Sequence, residues 1–195
     1  MTQTSDKNMN SRQTIAEIQK KLEPIVGIPH NCPLERNKGK VGHLLEDLLG
    51  IPRSSVCLDC SDGEVKTFPL KKEKNGNLTP KETIAVTMLS QEGLRNEEFC
   101  QSRCFQKMEN MLVIPYLRDG DTITFYKPTL IQCKDELLTY IQKDYNEIRS
   151  TFLTTGELHS ETGTYLQNRT KGPGGEKKTR AYYLRTSFLN AFVEF

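Results

Sequence analysis

The stretch Cys57-Leu58-Asp59-Cys60-Ser61-Asp62-Gly63-Glu64-Val65-Lys66-Thr67-Phe68 holds carboxylates and an ammonium group at spacings that suit chemistry on a phosphate. Asp62-Gly63 is a strong turn signal, so the segment predicts two short strands joined as a hairpin. Glu64 and Lys66 lie two apart on the second strand and share a face. With a two-residue loop, Ser61 pairs with Glu64 and Asp59 with Lys66, which brings Asp59 to that same face. A three-residue loop sends Asp59 to the opposite face unless a bulge intervenes. Two carboxylates and an ammonium are poor material for a hydrophobic core. They suit Mg2+, which takes oxygen ligands, usually one or two carboxylates with waters and a substrate phosphate. Asp59 and Glu64 are the candidate ligands. Lys66 would orient or help deprotonate an attacking water, or stabilise charge on the phosphate. The alternative is an exposed charged edge that keeps the strand from pairing with other chains. Asp62 reads as a turn residue rather than a ligand.

The elements that must position these groups are legible on either side. Lys38 to Gly50 carries a helical apolar stripe at Val41, Leu44, Leu45, Leu48 and Leu49, closed by Gly50 and Pro52. Glu46 lies near the boundary of that stripe. The helix runs straight into the hairpin, so it can offer Glu46 to the same site. Upstream, Thr14-Ile15-Ala16-Glu17 is a capping-box start for a helix with Ile15, Ile18 and Leu22 on one side. Downstream, 71–80 reads as a polar loop with Asn75-Gly76, and Glu82–Leu89 as a strand. Phe99–Met111 reads as a helix. Leu112–Leu117 and Thr122–Tyr126 read as a second hairpin around Asp119-Gly120, and Ile131–Phe152 as a long amphipathic helix. Gly172-Pro173-Gly174-Gly175 marks a flexible tip, and Arg185–Phe195 closes as a helix. Residues 1–10 are polar and aperiodic, the pattern of a disordered tail, which leaves 11–195 as a single domain. The fold class expected is α/β, a mixed central sheet flanked by helices.

The combination Lys38-Gly39-x-Val41-Gly42-x-Leu44-Leu45-Glu46, then Asp59, then Glu64-x-Lys66-Thr67-x-Pro69, resembles the MutH family of DNA endonucleases. That family includes the mismatch-repair nicking enzyme and restriction endonucleases that cut at GATC. Val113-Ile114-Pro115 resembles the family's central strand. Gly163-x-Tyr165-Leu166-Gln167-x-Arg169-x-Lys171 and Arg180-x-Tyr182-Tyr183-Leu184-Arg185-x-x-Phe188 resemble its late DNA-contacting segments. The resemblance implies a restriction-endonuclease-like (PD-(D/E)xK) core and a Mg2+-dependent, sequence-specific endonuclease acting on double-stranded DNA, with Mn2+ able to substitute. It implies catalytic roles for Glu46, Asp59, Glu64 and Lys66, and DNA contacts by Lys38, Lys107, Arg169, Lys171, Tyr183 and Arg185. A palindromic site implies a homodimer, and a repair role implies a MutL-type activator.

Two departures separate the chain from that pattern. The family's aspartate precedes the ExK glutamate by seven positions, where this chain has Cys57; Asp59 is the nearest carboxylate and implies a shortened hairpin. The family's lysine in the helix before Val113-Ile114-Pro115 has Lys107 as its nearest candidate, with Glu109 at the gapless position. These departures favour a type II restriction enzyme over a mismatch-repair nickase. A non-catalytic DNA-binding module with the same fold would have no need of Asp59, Glu64 and Lys66.

Composition narrows the remaining classes. The chain has 195 residues, 35% of them hydrophobic, enough for a substantial core. Its mean hydropathy is −0.59, and no apolar run approaches the length of a membrane span. The N-terminus lacks an apolar signal region, so a cytoplasmic, nucleoid-associated location is the default. Net charge is only +2, but its distribution is uneven: Arg169, Lys171, Lys177, Lys178, Arg180 and Arg185 face a single Glu176, with Tyr165, Tyr182 and Tyr183 interleaved. Such a segment can neutralise phosphates and reach base edges, or it can be a solvated basic tail over core tyrosines. Cys57-x-x-Cys60 and Cys100-x3-Cys104 hint at zinc, but a strand over 57–60 projects its cysteines to opposite faces, which favours free thiols. His30, His43 and His159 are scattered, so no nucleophile–histidine arrangement is formed.

Overall fold

The structure, a computed structural model, describes residues 12–34, 39–52, 57–171 and 179–195. The expected tail over 1–10, Lys38, the tip Gly172–Gly175, Lys177 and Lys178 lie outside the described residues. The chain packs as two compact units. One takes residues up to Thr79 with Asn110–Leu130 and Glu194–Phe195; the other takes Pro80–Glu109 and Ile131–Val193.

The first unit is built on a mixed sheet. Helix α1 (Ile15–Leu22) starts with the expected capping box: the Thr14 hydroxyl accepts from Glu17 N–H and the Glu17 carboxylate accepts from Thr14 N–H. Strand β1 (Pro29–Asn31) and helix α2 (Lys40–Leu49) follow. Then come β2 (Glu64–Lys72), β3 (Leu78–Pro80), β5 (Asn110–Asp119) and β6 (Thr122–Phe125). The order across the sheet is β1-β6-β5-β2-β3. β2 and β5 run parallel, from Glu64 opposite Met111 to Leu70 opposite Leu117. β5 and β6 form the predicted hairpin, with Asp119 opposite Thr122, and β1 adds antiparallel to β6. β5 is central, and Met111–Pro115 are all buried, the continuous apolar run of a strand covered on both faces.

Alternation along β2 and β5 divides the two faces. Leu112, Ile114 and Val65 pack with Ile15, Ile18 and Leu22 of α1 and Val41, Leu45 and Leu49 of α2 in one core. Each such side chain fully buried is worth about 1.5–3 kcal/mol. Leu48, placed in the predicted stripe of α2, is exposed, so the buried stripe is narrower than the pattern suggests. Glu64, Lys66 and Phe68 alternate with Val65 and Thr67 and point to the other face of the sheet.

The second unit holds β4 (Ile84–Met88), α3 (Gln91–Asn96), a short 3-10 turn (Phe99–Gln101), α4 (Arg103–Met108), α5 (Asp135–Thr155), β8 (Leu166–Thr170), β9 (Arg180–Leu184) and α6 (Thr186–Phe192). Its sheet is antiparallel, in the order β4-β9-β8. Tyr145 of α5 stacks on Tyr182 of β9, with ring centroids 5.6 Å apart, and on the same core lie Phe99, Ile141 and Ile148.

Several boundaries differ from those the sequence predicts. Residues 71–80 are not a loop: β2 runs on to Lys72, turns through Asn75-Gly76 and returns as β3. The helix expected over Phe99–Met111 is a 3-10 turn followed by α4, and β5 has begun by Asn110. A short strand, β7 (Thr129–Gln132), occupies the expected start of the long helix, so Ile131 is a strand residue. No helix among the described residues is long and apolar enough to cross a membrane.

Candidate active site and nucleic-acid face

The expected Asp62-Gly63 hairpin does not form. Residues 57–63 are a string of bends, and the first strand residue is Glu64. Gly63 is needed for a different reason. A Cβ there would lie 2.4 Å from the Asn110 carbonyl oxygen and 2.9 Å from Ile15 Cγ1, so only glycine lets the chain pass between α1 and the start of β5. Asp62 lies in a bend of this loop, between Cys60 N–H and the Gly63 carbonyl that accepts from it at 2.9 Å, and its side chain reaches α1 as well. Its Oδ1 accepts from Ile15 N–H at 2.8 Å, satisfying a free amide at the start of α1.

Asp59 nevertheless reaches β2. Its Oδ2 accepts from Val65 N–H at 3.1 Å, so a side chain fills the place that a partner strand would have taken. Glu64 is fully buried, and its Oε1 lies 2.5 Å from Lys66 Nζ, on a lysine side chain 25% exposed. The two residues share a face, as the spacing predicts. The charges of Asp59, Asp62 and Glu64 all act on Cys60. Burial first, and then these three carboxylates, push the Cys60 thiol up to about 12, against the pull of Arg12. Cys60 therefore sits inside an acidic cluster as a neutral thiol. Arg12 anchors the same loop by donating to the Leu58 carbonyl at 2.7 Å.

Asp59, Glu64 and Lys66 are thus brought together at the start of β2. Glu46 is half-buried on α2, which packs against β2 on the Val65 side, so it stands on the adjoining layer. None of the six cysteines forms a disulfide. Among the described residues no group of three His, Cys, Asp or Glu side chains is arranged to hold a metal ion.

The DNA-contact candidates in the second unit are Lys107, Arg169, Lys171, Tyr183 and Arg185. Gln167, Arg169 and, beyond the strand end, Lys171 alternate along one face of β8. Gln167 pairs with Tyr183 and Arg169 with Ala181. The exposed Arg169 guanidinium lies 5.6 Å from the Tyr183 ring centroid and donates to Thr83 Oγ1 at 3.2 Å. Lys171 is exposed, and its backbone N–H donates to the Thr179 carbonyl, which prolongs the β8–β9 pair. The Arg185 Nη2 donates to the carbonyls of Ser160 and Thr162, at 2.7 and 3.3 Å. Arg180 lies on the opposite face and holds Asn168 and Ser160. Lys107 is half-buried in the last turn of α4.

One group that organises this region is not among the residues the sequence singles out. Asp144 of α5 is 2% exposed. Its Oδ1 accepts from Thr164 N–H at 2.8 Å; its Oδ2 accepts from Tyr165 and Leu166 N–H at 2.6 and 2.8 Å. Gly163 makes this turn possible, with φ of +89° and no room for a Cβ beside the Leu166 carbonyl. A signal was there to read: Asp144 lies three residues after Ile141 and four before Ile148, on the apolar stripe itself.

The family model described as DNA mismatch repair enzyme MutH matches residues 57–146. Over that stretch the chain is similar to the MutH family. The stretch begins at the loop of Asp59, takes in Glu64, Lys66 and Lys107, and ends within α5 just past Asp144. Glu46, Arg169, Lys171, Tyr183 and Arg185 lie outside the MutH match. The matched stretch covers β2 and β5, the parallel pair of the mixed α/β sheet, which accords with the restriction-endonuclease-like core expected. A solved structure of restriction endonuclease MvaI with its cognate DNA substrate aligns over 91% of this chain and 95% of that chain, with a TM-score of 0.49 and 13% identity. No curated protein gives a significant sequence match.

Proposed function

We propose that the protein is a Mg2+-dependent, sequence-specific DNA endonuclease that hydrolyses phosphodiester bonds in double-stranded DNA. The observation that carries this reading is the buried Glu64 carboxylate paired with Lys66 on one face of β2, with Asp59 fastened to Val65 between them. A carboxylate buried beside a partly exposed lysine has the make-up of a reaction centre more than of a packed core.

The donor set suits a small hard cation. Asp59 and Glu64 would hold it, and water and a substrate phosphate would complete its shell, the usual arrangement for Mg2+. When bound, the cation would polarise the phosphate and lower the pKa of an attacking water. Lys66 presents its ammonium on the same face as Glu64, where it orients the water and stabilises negative charge growing on the phosphate oxygens. Hydrolysis forms a bond from the water oxygen to phosphorus and breaks the bond to one sugar oxygen, which takes up a proton. Arg169, Lys171 and Tyr183 form the DNA-facing set, with Arg169 and Tyr183 already packed together.

Within this class we favour a type II restriction enzyme over a mismatch-repair nickase, on the altered position of Asp59 relative to the MutH pattern. Sequencing the ends produced from a defined plasmid, with and without Mg2+, tests the reading. Uniform ends at one short sequence on both strands are expected. Nicks on one strand only would favour the repair role, and an intact plasmid would overturn the nuclease reading.

A further inference from the structure

Gln167 is 5% exposed, on the β8 face that carries Arg169 and lies opposite Tyr183. A buried side-chain amide ordinarily has its donors and its acceptor satisfied by protein groups. No described residue bonds the Gln167 amide, although its neighbour Asn168, fully buried on the other face, is bonded to both His159 and Arg180. Neither amide atom of Gln167 is wholly sealed from solvent, unlike those of the buried unsatisfied groups elsewhere in the protein. The stem is therefore packed and held, while the hydrogen-bonding tip is left for something outside the chain.

The neighbours say what that something is. Arg169 is fixed by the Tyr183 ring and by Thr83. Lys171 stands two residues further along the same face. A paired β ribbon fits the major groove of B-DNA, where glutamine makes a bidentate pair with adenine: its carbonyl accepts from N6–H and its N–H donates to N7. We propose that Gln167 is a specificity-determining residue that reads one adenine of the recognition sequence. Arg169 stands beside it on the same face, Lys171 follows with a charge for phosphate, and packing around the Gln167 stem keeps the amide in place before DNA arrives. This inference rests on the endonuclease reading and adds to it a residue and a base.

The test is competition binding in EDTA, so that no cleavage intervenes, to a panel of duplexes covering each single substitution of the cleaved site. Wild type is compared with Gln167→Met, which keeps the shape of the stem and removes the amide, and with Gln167→Glu. At one A·T position wild type is expected to prefer adenine by about ten- to a hundredfold. Gln167→Met should level the preference there and leave every other position unchanged. Replacing that adenine by 7-deazaadenine, which lacks the N7 acceptor, should weaken wild type and leave Gln167→Met unaffected. Gln167→Glu should move the preference towards cytosine, whose N4–H a carboxylate accepts. Equal losses on all duplexes, or a preference that survives in both variants, would overturn the assignment. A wild type that binds the whole panel alike would overturn the sequence-specific reading itself, which separates the two failures.

Discussion

Replacing Asp144 by alanine is expected to unfasten the start of β8 and with it the strand that carries Gln167 and Arg169. Three backbone N–H groups lose their acceptor, at present 2.8, 2.6 and 2.8 Å away. They do not count equally. Thr164 is exposed, so water replaces the carboxylate there; Tyr165 is half-buried, and Leu166 is fully buried. A hydrogen bond to a charged group contributes about 1.5–3 kcal/mol, and an unsatisfied buried N–H costs about 1–3 kcal/mol. Relief from holding a carboxylate at 2% exposure offsets part of this. The net loss is about 2–4 kcal/mol, which in a chain of this size lowers Tm by roughly 5–15 °C. Asp144→Asn keeps one acceptor but sets an amide N–H against a backbone N–H, so it should recover less than half of the loss. Urea and thermal unfolding followed by circular dichroism measure this, with DNA affinity measured alongside. A loss below about 1 kcal/mol for Asp144→Ala would refute the reasoning, because it would mean that the three amides are served equally well by water.

Gly63→Ala should destabilise by about 1–3 kcal/mol, because its Cβ meets the Asn110 carbonyl and Ile15 at once; a Tm within a degree of wild type would show that the loop moves aside freely. Lys66→Ala should slow cleavage steeply and leave DNA affinity nearly intact, since its contact matters chiefly in the transition state; lost affinity with unchanged turnover of bound DNA would make Lys66 a backbone contact instead. Arg169→Ala should reduce discrimination at one base pair by about 1–3 kcal/mol, whereas equal weakening on every duplex would show that it grips phosphate only. Burial pushes the Cys60 and Cys133 thiols up to about 12. The folded state therefore keeps protons that the unfolded chain gives up above a free thiol's pKa of about 8.5. Their contribution to stability is complete below that pH and is lost as pH rises towards 12. Melting across pH 8 to 11 should fall less steeply in Cys60→Ala than in wild type, and parallel slopes would contradict the burial of that thiol.

The parts of the fold that were legible in the sequence are those fixed by local patterns. The Thr14–Glu17 capping box, the α2 stripe and the β5–β6 hairpin at Asp119-Gly120 each depend on residues within a few positions of one another. The pairing of Glu64 with Lys66 was legible for the same reason, since two residues apart on a strand means one face. The missing hairpin was not legible. Asp62-Gly63 has the chemistry of a turn, but Gly63 answers to the carbonyl of Asn110 and Asp62 to the free N–H of Ile15, both far away in sequence. Asp59 still arrives beside Val65, through its side chain rather than through a ladder of backbone bonds. The bonds of Arg185, a basic residue in a DNA-contacting pattern, to two loop carbonyls were not legible either. Asp144 and Gln167 were hidden because their meaning depends on partners across the fold, three amides for one and none for the other among the described residues.

The central claim is that Asp59 and Glu64 hold the cation that cleaves DNA, and cleavage of supercoiled plasmid by wild type, Asp59→Asn and Glu64→Gln over a Mg2+ series tests it most directly. Both substitutions keep the side-chain shape, so the Glu64 site stays filled and Asp59 can still accept from Val65. Wild type is expected to cleave only with the divalent cation. Each variant should lose on the order of a hundredfold or more in rate, while binding the same DNA in EDTA as tightly as wild type. Cleavage by Glu64→Gln within about threefold of wild type, at the same Mg2+ dependence, would contradict the account.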